Sequence, residues 1–138
     1  QYLDLDHDKI LFMSLIHDLG ERYMGDISAA TRPNKDDKYH EEKEALKSLS
    51  DILPEGLGAQ LMSVWEEYEA GTTPEAKFVK ALDKAEKIIQ HNQGENPENF
   101  DYAFNLEYGK SYFEEDHLLR TLRKALDDKT LQNKNSKQ

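Results

Sequence analysis

The sequence predicts an all-α fold, and three features carry that expectation. Apolar residues recur at spacings of three and four, as in Leu57, Leu61, Val64, Trp65 and Tyr68, which is the period of one helix face. Helix punctuation falls where that pattern stops: Gly71 follows one run, and Thr73-Pro74-Glu75 opens the next. Proline suits a first helical position because the N–H it lacks would have no partner there. No stretch of useful length alternates apolar and polar residues as a half-buried strand does.

Residues 1–5 read as the tail of a preceding element, and Asp6 as an N-cap with Asp8 facing the dipole of the following helix. From His7 to about Leu19, the residues Ile10, Leu11, Phe12, Met13, Leu15, Ile16 and Leu19 surround most of the cylinder. This predicts a central helix packed on all sides. Gly20 weakens it, and residues 22–34, with Gly25, Ser28, Thr31, Pro33 and Asn34, read as a loop. A charged helix over 35–53 carries a narrow stripe of Tyr39, Ala45, Leu46, Leu49 and Leu53. Its Glu41, Glu42 and Glu44 interleave with Lys38, Lys43 and Lys47, the pattern of a solvated face with local ion pairs. Pro54, Gly56 and Gly58 break that helix before the Leu57–Tyr68 pattern begins.

The helix opened by Thr73 runs to about residue 91 and directs Phe78, Val79, Leu82, Ala85, Ile88 and Ile89 to the core. Residues 92–99 are a loop. Phe100, Tyr102, Phe104, Tyr108, Tyr112 and Phe113 read as packing aromatics. A last amphipathic helix over about 114–127 turns Leu118, Leu119, Leu122, Ala125 and Leu126 inward, and a frayed tail follows from Lys129. The expectation is one helical domain of about five to six helices over residues 1–128, then a flexible tail over 129–138.

Charged residues make up 33% of the chain, so its apolar residues must be gathered on faces. The net charge of −10 argues against a nucleic-acid surface, because neutralising phosphates needs a positive excess. A small anionic ligand remains compatible if a metal or a local basic group meets its phosphate. The absence of cysteine rules out disulfides and thiolate zinc sites and fits a reducing cytosol, so a cytoplasmic location is expected. No run approaches the length of a membrane span, and no signal-peptide pattern is visible, so no membrane partner is expected.

His17-Asp18-Leu19-Gly20-Glu21 is the stretch that carries chemistry. It follows the apolar run Ile10–Ile16, and Glu21 lies at i+4 from His17 and i+3 from Asp18, one turn on along the same helix side. Burying such a trio costs several kcal/mol, roughly, unless the groups are paired or bind a metal. Imidazole with carboxylate suits manganese, iron, cobalt or zinc better than calcium. Neighbouring residues diverge by about 100° on a helix, so both reach one ion only where the turn loosens, and Gly20 offers that place. Asp83, among the apolar positions of another helix, reads either as a carboxylate paired with Lys80, Lys84 or Lys87 or as a third ligand. Glu21 would then orient water or exchange a proton. His7, His40, His91 and His117 read as surface or capping residues.

His17-Asp18, with the later Lys80-Ala81-Leu82-Asp83-Lys84, resembles the HD-domain metal-dependent phosphohydrolases. Leu15-Ile16-His17-Asp18-Leu19-Gly20-Glu21, Gly25-Asp26-Ile27, Trp65-Glu66-Glu67-Tyr68-Glu69 and Ala76-Lys77-Phe78-Val79-Lys80 resemble the 5'-deoxynucleotidase subgroup in order and spacing. The likeness runs from about Leu3 to Leu126. It implies a helical bundle around one divalent cation (manganese, cobalt, iron, zinc or magnesium) that hydrolyses deoxynucleoside 5'-monophosphates to deoxynucleoside and phosphate. His17, Asp18 and Asp83 would be metal ligands, Glu21 the acid–base or water-orienting residue, and Asp26 a substrate contact near the sugar. Members of the subgroup commonly form homodimers, so a homodimer is implied.

The family motif also has an earlier histidine upstream of the HD pair, and this sequence starts after that point. His7 is no substitute, since ten residues of helix set it about 15 Å from His17. With glutamine at position 1, the expectation is a fragment of a parent that carries the missing histidine. Arg32 and Lys35 are the local candidates for a basic phosphate contact. Two other functions fit the same residues: an HD-type hydrolase of another nucleotide phosphate or phosphodiester, and a helical interaction module without activity.

Overall fold

A computed structural model describes residues 4–24 and 35–136, and for residues 22–24, 35 and 36 the backbone alone. Among the described residues there is no strand, as the sequence predicts. The chain divides into two compact units, Gln1–Ala76 and Lys77–Gln138.

The first unit holds α1 (His7–Ile16), α2 (Leu19–Met24), α3 (Lys35–Asp51), α4 (Glu55–Ala70) and the opening turn of α5 (Pro74–Gln93). Asp6 caps α1, its carboxylate accepting from Lys9 N at 3.0 Å. The backbone N–H of Asp6 donates to Glu75 Oε1 at 3.1 Å, tying the start of α1 to the first turn of α5. That bond holds the Glu75 carboxyl below its usual range. α4 packs against α1 and α3, and α2 packs against α3. Met13, Ile16, Ala45, Leu46, Leu61, Val64, Trp65 and Tyr68 are the buried hydrophobic residues of α1 to α4 among the described residues, and Trp65 is fully enclosed. Tyr39 stacks on Trp65 with ring centroids 5.3 Å apart. Gly71 ends α4 in the left-handed conformation, φ 64°, which glycine adopts without steric cost. Thr73 Oγ1 then accepts from Ala76 N and caps α5.

Three expectations for this unit change. α1 is not enclosed on all sides: Leu11 is 65% and Leu15 77% exposed, because α1 meets its neighbour α4 through the Met13–Ile16 face. The helix stops at Ile16 rather than Leu19, and residues 22–24, expected in a loop, are the end of α2. Glu42 is buried rather than solvated, because α2 lies directly on α3. A Cβ at Gly20 would stand 3.0 Å from Cβ and 3.2 Å from the carbonyl oxygen of Glu42.

The second unit holds the rest of α5, α6 (Tyr102–Glu107), a 3-10 turn over Lys110–Phe113, and α7 (His117–Ser136). Ala81, Ala85, Ile88, Phe113, Leu119 and Leu126 form its core, with Phe78, Tyr108 and Leu122 packed against them. Ile89, Leu118 and Ala125, expected inward, face solvent. Asp116 caps α7 by accepting from Leu118 N and Leu119 N at 2.7 and 3.1 Å.

α7 does not fray at Lys129 but runs on to Ser136. Thr130 is fully buried, and its hydroxyl accepts from Asn92 Nδ2 at 2.9 Å. Asn133 Nδ2 donates to the Asn92 carbonyl at 2.8 Å. Polar bonds thus hold the helix beyond the end of its apolar stripe. Arg123, also buried, donates to the carbonyls of Asn105, Leu106 and Tyr108 and to the carboxylate of Asp127. It thereby closes the C-terminal end of α6, whose last carbonyls have no partner within the helix. No helix among the described residues is long and apolar enough to cross a membrane.

Candidate metal centre

The chain leaves helical geometry at the His-Asp pair itself. His17 N still donates to Met13 O at 3.0 Å, and His17 and Asp18 then form the turn between α1 and α2. The loosening expected near Gly20 therefore occurs three residues earlier, and Gly20 lies inside α2. His17 Nδ1 is 2.7 Å from the carbonyl oxygen of Ser14. A carbonyl only accepts, so Nδ1 carries the proton, and the neutral ring presents its lone pair at Nε2. That nitrogen stands 3.4 Å from Asp18 Oδ2.

The separation suits shared coordination. Two ligand atoms about 2.1 Å from one ion are roughly 3.0–3.4 Å apart at octahedral or tetrahedral angles. A backbone carbonyl on the second ring nitrogen is the usual partner of a metal-binding histidine, fixing both tautomer and ring direction. The two donors differ in access, with 17% of the His17 side chain exposed and 57% of Asp18. Tyr68 on α4 lies against the imidazole, ring centroids 5.1 Å apart. An imidazole and a carboxylate so placed fit a divalent first-row ion.

Glu21 projects from α2 to Lys38 on α3, whose ammonium donates to Glu21 Oε1. Lys38 Nζ is also 3.3 Å from Oε1 of Glu42, one turn further along α3. The Glu42 side chain is only 6% exposed. Burial pushes its carboxyl above the usual range, although the charge of Lys38 pulls the other way. Burial likewise opposes the charge on Lys38, but its bonds to Glu21 and Glu42 outweigh that effect and raise its pKa.

Asp83, in the second unit, sits on α5 with its side chain 13% exposed. Lys84 Nζ at 3.1 Å and Lys87 Nζ at 3.7 Å both approach its Oδ2, two of the three lysines expected from sequence. Lys84 Nζ also lies 5.7 Å and 5.5 Å from the ring centroids of Tyr108 and Tyr112. Burial works against the charge on Lys84; the bond and charge of Asp83, with both phenols, prevail and raise its pKa. A carboxylate offers two oxygens and roughly four lone-pair directions, so pairing with lysine does not exhaust Asp83 as a donor. Asp26 and Arg32 lie outside the described residues, as does the side chain of Lys35.

Sequence reasoning missed the supports of this centre. The Ser14 carbonyl and the Tyr68 ring orient His17, and Lys38 engages Glu21. Ser14 stands three residues before His17, the helical spacing that signals such a bond. The Trp65–Glu69 run resolves into separate tasks: Trp65 fills the core, and Glu66 pairs with Lys43 at 2.9 Å. Glu67 accepts from Thr73 Oγ1 at 2.7 Å and pairs with Lys9 at 3.4 Å. His91, expected at the surface, donates from Nδ1 to Asn105 Oδ1 or accepts there in the flipped amide, at 2.9 Å.

The sequence profile of the HD domain matches residues 1–123, across both units. The chain is 42% identical over 95 residues to 5'-deoxynucleotidase HDDC2 of Mus musculus, covering 69% of this chain and 48% of that protein. It is 41% identical over 95 residues to 5'-deoxynucleotidase HDDC2 of Homo sapiens, covering 69% of this chain and 47% of that protein. It is also 37% identical over 90 residues to 5'-deoxynucleotidase hdd1 of Schizosaccharomyces pombe, covering 62% and 46%. The matched region spans about half the length of these relatives. The chain belongs to the HD domain family.

Proposed function

We propose that this protein is a metal-dependent 5'-deoxynucleotidase, hydrolysing deoxynucleoside 5'-monophosphates to deoxynucleoside and phosphate. The observation that carries the reading is the His17–Asp18 geometry: a tautomer fixed by the Ser14 carbonyl, with Nε2 3.4 Å from the neighbouring carboxylate. The 5'-deoxynucleotidases of mouse, human and fission yeast to which the chain is similar support the substrate class.

His17, Asp18 and Asp83 would hold one divalent cation. Bound there, it would supply Lewis-acid activation of the phosphate ester and of water. Glu21 is the acid–base or water-orienting residue. It extends from α2 three residues beyond Asp18, so one short segment supplies both metal ligand and proton carrier. Asp26 contacts the substrate near its sugar. The protein works in the cytoplasm, in keeping with a cysteine-free chain, and as a homodimer, for which the exposed Leu11 and Leu15 of α1 offer apolar surface. One HD-type domain spans residues 1–128, in keeping with the single profile across both units.

The test is phosphate release from a panel of deoxy- and ribonucleoside 5'-monophosphates, triphosphates and phosphodiesters, with and without added Mn2+ or Co2+. Metal-dependent release confined to deoxynucleoside monophosphates is expected. Turnover of the other esters alone, or unaltered turnover after removal of the metal, overturns the assignment.

A further inference from the structure

We infer that Lys38 is a positioning residue for the reaction: anchored by the buried Glu42, its ammonium fixes the carboxylate of Glu21. This rests on the reading of Glu21 as the acid–base residue.

An ordinary surface ion pair would not serve this purpose. Two exposed side chains hold one geometry poorly, and such pairs contribute little. Lys38 and Glu21 are themselves 43% and 40% exposed, but the second partner of Lys38 is enclosed. The Glu42 side chain is 6% exposed, and a buried carboxylate without a cation is strongly unfavourable. The ammonium is therefore held near Oε1 of Glu42, at 3.3 Å, before Glu21 is considered. Glu42 is itself fixed by the backbone, since α2 presses on it where Gly20 has no side chain. Glu21 is the next residue along α2 and hydrogen-bonds to the same ammonium. One cation thus serves two carboxylates, the inner one as anchor and the outer one oriented. The raised pKa of Lys38, whose side chain is 43% exposed, agrees, since the bond to Glu21 and the charges of both carboxylates outweigh its partial desolvation.

The arrangement gives Glu21 a fixed direction, as an acid–base group needs for alignment with a water or leaving group. Partners that orient reactive or ligating groups typically change activity by about 10–100-fold when removed.

The experiment compares Lys38→Met, Lys38→Arg, Glu42→Gln and Glu21→Gln in the full chain, with deoxynucleoside 5'-monophosphates as substrate and Mn2+ as the metal. Lys38→Met is expected to lower kcat about 10–100-fold with KM and bound Mn2+ unchanged, and Lys38→Arg to restore most of the loss. Glu42→Gln is expected to lower kcat less, by roughly 3–10-fold. A non-kinetic readout accompanies these: 15N NMR titration of the Lys38 ammonium in metal-free protein. Its pKa is expected above that of an ordinary lysine and lowered by Glu21→Gln, which also decides the matter if Lys38→Met fails to fold. Wild-type kcat in Lys38→Met, loss of Mn2+ along with activity, or a Lys38 signal insensitive to Glu21→Gln overturns the inference. If Glu21→Gln retains wild-type turnover, the acid–base reading itself fails. Loss of turnover there with none in Lys38→Met sinks only the role of Lys38.

Discussion

Arg123→Met offers a worked test of the second unit. The guanidinium donates to Asn105 O at 2.9 Å, Leu106 O at 2.6 Å and Tyr108 O at 2.5 Å, and its Nε donates to Asp127 Oδ1 at 2.9 Å. Its carbon also lies 5.3 Å from the Phe113 ring centroid. Four charge-assisted bonds at about 1.5–3 kcal/mol each would sum to about 6–12 kcal/mol, as much as the whole stability of a typical domain. They are not additive, and Asp127, 28% exposed, recovers water when the arginine is removed. The governing loss is the shared donor of three carbonyls at the end of α6; at about 1–3 kcal/mol for each one left unsatisfied, and with partial relaxation, a net loss of about 3–5 kcal/mol is expected. Methionine keeps much of the apolar length, so the change isolates the polar contribution. Arg123→Lys recovers less than half, because one ammonium does not reproduce a fork aimed at separate carbonyls. Urea denaturation followed by far-UV circular dichroism measures the difference. A loss below about 1 kcal/mol, in the range of an ordinary surface substitution, would refute the role given to Arg123.

Gly109→Ala places a side chain at φ 63° and its Cβ 2.8 Å from Lys84 Cγ, and is expected to destabilise by about 1–2 kcal/mol in the same assay. Gly56→Ala, in helix α4 with nothing within 4 Å of the added carbon, should stabilise by up to about 1 kcal/mol. Glu42 gives a pH dependence of known sign. Its folded pKa lies above the ordinary value of 4.5, so the native state binds more protons than the unfolded state in that window. The associated stability is present below pH 4.5 and is lost as pH rises through the folded pKa. Glu42→Gln should flatten that part of the stability–pH curve, measured by thermal unfolding from pH 4 upward; an unaltered slope contradicts the assignment.

Much of the fold is legible because its signals are local. Asp6, Gly71 and Thr73-Pro74 act within a few residues of themselves, and each marks the helix end that the structure shows. The fate of Glu42 is not local. In α3 it looks like its neighbours Glu41 and Glu44, and only the approach of α2 through Gly20 buries it. The end of α7 was hidden for a related reason: Thr130 and Asn133 are held by Asn92 across 38 and 41 residues, through polar bonds that apolar periodicity does not register. At the candidate metal centre the residue types were readable at His17 and Asp18, but the continuous apolar run masked the turn between α1 and α2. The Leu11 and Leu15 positions show the converse, since an apolar pattern specifies what can be buried and not which neighbour is available.

The most direct test of the account is metal stoichiometry. Purified full chain is equilibrated with Mn2+ and dialysed, and bound metal is counted by elemental analysis in the wild type, His17→Ala, Asp18→Asn and Asp83→Asn. One ion per chain in the wild type, lost in all three folded variants, is the predicted result. Retention of a full equivalent by any one of them would remove that residue from the coordination set, and retention by all three would contradict the shared cation on which the hydrolase assignment stands.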